Sequence, residues 1–161
     1  MNSSSLVLLA SALAPAILMA STALLLLAPG VRRGPVWQPF RALAPAALLC
    51  ALATPVLHGT LAAPGGAEYA MAQLPGLAST PLSAWMATLV QLLGTVIGVF
   101  SSRYLQGERG QPRYVAAFAG VLAAVHLLLL ADHWLVLVAA WALAGAALQQ
   151  LLCFYPERPF A

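Results

Sequence analysis

Residues 127–159 read LLLLADHWLVLVAAWALAGAALQQLLCFYPERP, and this stretch decides the fold. The polar pair Asp132-His133 interrupts two long apolar runs, one reaching back to Tyr114 and one continuing to Tyr155. A bilayer core of about 30 Å needs roughly 20 apolar residues per helix. Both runs are of that order, so the pair marks a tight turn between two spanning helices. Pro156-Glu157-Arg158-Pro159 closes the second.

Three further spans precede them. The first covers about 6–28 and is ended by Pro29-Gly30 and Arg32-Arg33. The second covers 42–62 and is ended by Pro64-Gly65-Gly66. The third covers 82–104, the fourth 114–131 and the fifth 134–155. The chain is therefore expected to be all-α, a single integral membrane bundle of five helices over residues 1–161. Its 62% hydrophobic and 7% charged composition agrees, because a soluble domain carries about 45–50% apolar and about 25% charged residues. Spanning strands would alternate polar and apolar over about ten residues, and no such alternation occurs. Residues 1–5 carry no side-chain charge, so the first span is expected to be a retained helix, with a cleaved signal as the alternative.

Charge placement gives the orientation. All seven basic residues are arginines, and the net charge is +3. They sit between apolar runs and form no basic face, so nucleic acid is not expected as a partner. Arg32, Arg33 and Arg41 fall in the first loop, Arg103, Arg109 and Arg113 in the third, and Arg158 after the last span. With five alternating helices every arginine lies on one side, which the positive-inside rule makes cytoplasmic. The N-terminus is then outside and the C-terminus inside. Glu68 and Tyr69 occupy the long outer loop. Trp85, Tyr104, Tyr114, Trp134 and Tyr155 stand near span ends, where amphipathic rings sit at headgroup level; Trp141 lies inside the fifth span.

Within the membrane, His126 is the leading candidate for proton transfer, because an ionisable side chain in a span is costly unless used or paired. The alternative is a neutral imidazole bonded to a neighbouring helix. His58 is expected at the interface and His133 in a solvated turn. Gln149 and Gln150 are about 100° apart on the fifth helix, so at least one should face protein or water, as interhelical glue or as part of a proton path. Gly94 and Gly98 form a GxxxG pattern that favours close helix packing. Pro15 and Pro55 are expected to bend their helices. Cys50 and Cys153 are read as buried small hydrophobes, with no disulfide and no metal site expected. No phosphate loop, nucleophile elbow, HExxH or dinucleotide fingerprint is present, and no lysine or carboxylate lies deep in a span, so the chain is not expected to be an enzyme or to hold a cofactor.

From Leu82 through Arg103-Tyr104-Leu105-Gln106-Gly107-Glu108, Arg113-Tyr114 and Phe118, the sequence resembles the third and fourth helices of the antiporter-like subunits of respiratory complex I and Mrp antiporters. Residues 127–159 extend the likeness, with a leucine-rich helix, a short acidic turn and a mid-helix tryptophan. In the respiratory branch a glutamate follows that tryptophan; here Ala142 follows Trp141. The ending Phe154-Tyr155-Pro156-Glu157-Arg158-Pro159, after Gln149-Gln150, resembles the membrane subunit (DabB) of the two-component DAB inorganic carbon systems. That resemblance implies an inner-membrane transport subunit of a bacterium, coupling proton or cation flow to a cytoplasmic, zinc-containing carbonic anhydrase-like partner. A respiratory or Mrp-type subunit and a non-transporting adaptor are the alternatives. Members of the family are longer and carry inverted helical repeats. The chain is thus expected to be an N-terminal portion, completed by further antiporter-like helices.

Overall fold

A computed structural model describes residues 3–28, 35–61, 72–108 and 110–153. Five helices run through them: α1 (Ser3–Leu27), α2 (Gln38–Leu61), α3 (Pro81–Tyr104), α4 (Gln111–Leu130) and α5 (Trp134–Leu152). Each is long and apolar enough to cross a membrane, and together they form an all-α membrane bundle. Arg32, Arg33, Arg109, Arg158, Glu68, Tyr69, Pro29-Gly30, Pro64-Gly65-Gly66 and residues 154–159 lie outside the described residues.

Helices α1 to α4 form a ring in which each packs on its two neighbours, while α5 lies outside it against α4. One end of the ring holds Arg41, Arg103 and Arg113, at the start of α2, the end of α3 and the start of α4. The other end carries a feature absent from the sequence reading, an antiparallel hairpin of β1 (Ala72–Leu74) and β2 (Leu77–Ser79). Pro75-Gly76 makes its two-residue turn. Proline presets the first turn position and Gly76, at φ 85°, takes the left-handed second one. A Cβ at Gly76 would also lie 3.0 Å from Val136 Cγ2, so the tip rests on α5. The Asp132 amide donates to the Gly76 carbonyl at 2.9 Å, and Leu77 bridges Ala131. The Asp132-His133 turn is thereby pinned to the hairpin. His133 is exposed as expected, and it also caps α5, its Nδ1 accepting from the Leu135 amide at 3.2 Å.

Local signals explain the helix starts. Thr80 caps α3 in a capping box with Ser83, and Pro81 occupies the first helical position. Gly110, at φ 92°, precedes α4, which begins three residues before the expected Tyr114 because Gln111-Pro112 joins its first turn. Helices α1 and α2 continue through Pro15, Pro45 and Pro55.

Helix α3 is inverted relative to a soluble helix. Its buried residues are Ala84, Thr88, Gln91, Gly94, Gly98, Ser101 and Ser102. Leu82, Trp85, Met86, Leu89, Leu92, Leu93, Val96, Ile97 and Phe100 are exposed. Lipid accepts the large apolar side chains without cost, so the interior can be small and polar. Helix α5 exposes Trp134, Leu135, Val138, Trp141, Leu143, Leu148 and Leu152, and of its residues only Ala140 is buried.

Candidate functional site

The functional reading centres on one polar group from each of α3 and α4. Gln91 is completely buried and His126 is 1% exposed. His126 Nε2 lies 2.9 Å from Gln91 Oε1. The Gln91 amide nitrogen faces the Ala44 carbonyl of α2 at 3.3 Å, Met19 Sδ of α1 at 3.9 Å and Thr95 Oγ1 at 3.5 Å. Gln91 therefore touches all three other helices of the ring. It was not singled out from the sequence. The available signal was Thr88, Gln91 and Thr95 recurring at helical spacing on the face that also carries Gly94 and Gly98.

Toward the hairpin end the polar column continues along α2 and α3. Thr88 Oγ1 donates to the Ala51 carbonyl at 2.8 Å, and buried Thr54 turns back to the Cys50 carbonyl. His58 Nε2 meets Ser79 Oγ at 3.0 Å beneath the hairpin. His58 lies near the end of α2, as expected, but is buried there because β2 folds over it.

Toward the arginine end the column is closed by apolar side chains. Leu122 packs into the notch at Gly94, and Phe40 into the notch at Gly98. Phe40 belongs to an aromatic cluster with Trp37 at 6.1 Å and Phe118 at 5.7 Å. Beyond it polar contacts resume: Ser101 Oγ to Tyr114 OH at 3.2 Å, and Arg41 Nη2 donating to Ser102 Oγ at 3.0 Å. Tyr114 is half-buried near the start of α4 and stacked on Phe118, which joins it to this cluster. Trp85, Tyr104 and Trp134 are exposed at helix ends.

Gln149 and Gln150 are both exposed on α5 and make no side-chain hydrogen bond among the described residues. They share no hydrogen bond with His126 or Gln91, and α5 packs mainly on α4 among the ring helices. Cys50 is half-buried and Cys153 exposed, so neither is the fully buried hydrophobe expected. Among the described residues no three His, Cys, Asp or Glu side chains gather to hold a metal ion.

The column carries two ionisable side chains, His126 at its centre and His58 at its hairpin end. His126 Nδ1 is buried and meets no donor or acceptor among the described residues. Leaving a buried polar atom unpaired costs about 1–3 kcal/mol, and Trp37 Nε1 is in the same position.

Residues 75–115 match the family described as NADH-ubiquinone oxidoreductase (complex I), chain 5 N-terminus. The F(420)H(2) dehydrogenase subunit L of Methanosarcina mazei is 33% identical over 81 residues. Those residues are 50% of this chain and 12% of the relative, so the match covers a small part of that protein. No solved structure matches the chain.

Proposed function

We propose that this chain is part of a proton-conducting, antiporter-like membrane subunit of a respiratory NADH-quinone oxidoreductase or Mrp-type assembly. The observation that carries the reading is the overlap between the matched residues and α3. Residues 75–115 contain the whole buried polar face of that helix, from Thr88 and Gln91 to Ser101 and Ser102. Polar groups turned inward in a lipid-embedded helix stabilise charge moving through the bundle interior. His126 is the group that takes up the proton, and the ring α1–α4 holds it. Gln149 and Gln150 face the remaining antiporter-like helices, which cover α5.

A second reading rests on a specific departure. Ala142 stands where the respiratory branch carries a glutamate, and residues 149–159 resemble the DAB membrane subunit. Under it the assembly moves inorganic carbon with a zinc carbonic anhydrase-like partner on the arginine side. Affinity capture of the tagged chain from native membranes separates the two. Co-purification of dehydrogenase or antiporter subunits is expected. A large soluble zinc protein in their place would favour the second reading, and recovery with neither would sink both.

The arginine end is read as cytoplasmic, with the hairpin facing the periplasm of an inner membrane. A fusion at Ala161 should be active with a cytoplasmic reporter and inactive with a periplasmic one. The reverse pattern would overturn the orientation.

A further inference from the structure

We infer that Gln91 is the positioning residue of His126, and that it makes the imidazole a one-sided proton acceptor working through Nδ1. The inference rests on the reading of the chain as part of a proton-conducting subunit.

The Ala44 carbonyl can only accept, and it faces one end of the Gln91 amide at 3.3 Å. That end must be the NH2 group. The amide oxygen then faces His126 Nε2 at 2.9 Å. An amide oxygen only accepts, so Nε2 must carry a hydrogen. In the neutral ring the lone pair is consequently on Nδ1, the atom that meets no protein partner among the described residues. A carbonyl on α2 thus sets the tautomer of a histidine on α4 by way of a side chain on α3.

The proton balance follows. A proton arriving at Nδ1 bonds to its lone pair and gives an imidazolium, while the other hydrogen stays on Nε2, still donated to Gln91 Oε1. The amide oxygen is too weak a base to take that hydrogen. The ring returns to neutral only by releasing the proton from Nδ1. His126 is therefore a port that loads and unloads at one atom, not a wire passing a proton from one nitrogen to the other.

Nitrogen-15 NMR of the complete membrane complex in lipid, with labelled histidine, reads this directly; the His126 signals are those lost in His126→Gln. Neutral His126 is expected to show a protonated Nε2 and a bare Nδ1. Gln91→Met keeps the volume and removes the hydrogen bond, so the tautomer ratio should shift by about tenfold, the worth of one such bond. Gln91→Glu restores an oxygen facing Nε2 and should restore the ratio. A protonated Nδ1 in the neutral wild-type ring would overturn the inference, as would a ratio unchanged in Gln91→Met. The failures are separable: proton uptake that survives loss of His126 refutes the transport role and leaves the tautomer result standing. A wrong tautomer with transport still dependent on His126 does the converse.

Discussion

Gly98→Ala is expected to destabilise the bundle by about 1–3 kcal/mol, and Gly98→Leu to prevent its assembly. A Cβ at position 98 would stand 2.2 Å from Phe40 Cε1 and 2.3 Å from Cζ. Such distances force one partner to move. Phe40 is fully buried, with Trp37 edge-on at one side and Phe118 tilted at another. A flat ring walled in this way has little room to retreat, so the added methyl should push α2 and α3 apart. Gly94 is a useful contrast. Its added Cβ would meet Leu122 Cδ2 at 2.5 Å, but a leucine methyl can rotate away, and Gly94→Ala should cost less. Gly145 has nothing within 4 Å of its would-be Cβ. Gly145→Ala should be neutral, or stabilising by up to about 1 kcal/mol through helix propensity alone. Thermal unfolding in detergent ranks the three. Phe40→Leu should recover part of the Gly98→Ala loss. A Gly98→Ala protein as stable as wild type would mean that the two helices do not approach this closely.

That contrast also shows what the residues alone could and could not supply. The GxxxG spacing was legible, but a spacing names no partner. That Gly94 receives a leucine from α4 and Gly98 a phenylalanine from α2 depends on how the ring closes. The five helices were legible because hydrocarbon thickness imposes a length that no other environment demands. Which face of each helix turns inward was harder to read. In lipid, apolar residues suit either face, so hydropathy distinguishes inside from outside only through the polar residues. On α3 those residues were present, and Thr88 and Gln91 do mark the buried face, with Thr95 half-buried at its edge. On α5 the same logic asked that Gln149 or Gln150 face protein or water, and both are exposed. Helix α5 lies outside the ring, with most of its surface uncovered. The hairpin escaped because attention to span-length runs passes over three-residue strands, although Pro75-Gly76 is a strong turn signal. With the hairpin unseen, the burial of His58 against Ser79 could not be anticipated.

His126→Gln is expected to lower proton uptake by the complete complex about 100-fold or more, the range of a lost acid–base group, while leaving insertion and folding intact. The choice of glutamine over alanine matters. His126→Ala would leave a cavity and an unpaired Gln91 oxygen in the centre of the ring. Together these cost about 2–5 kcal/mol, so a loss of transport could reflect a loosened bundle. A glutamine amide can reach toward Gln91 and donate to its oxygen, as Nε2–H does now, yet it cannot take up a proton near neutral pH. The variant thus preserves the contact joining α3 to α4 and removes only the proton-accepting atom. Membrane insertion should be unaffected, because a neutral amide in the span costs no more than the imidazole it replaces. Proton uptake into liposomes holding the complete complex, compared at matched protein and matched thermal stability, measures the effect. Wild-type uptake by His126→Gln would remove the residue from the proton path and reduce the Gln91–His126 contact to a bond between helices. Full activity in His126→Gln with impaired assembly in His126→Ala would identify that bond as the reason a polar pair sits at the centre of the ring.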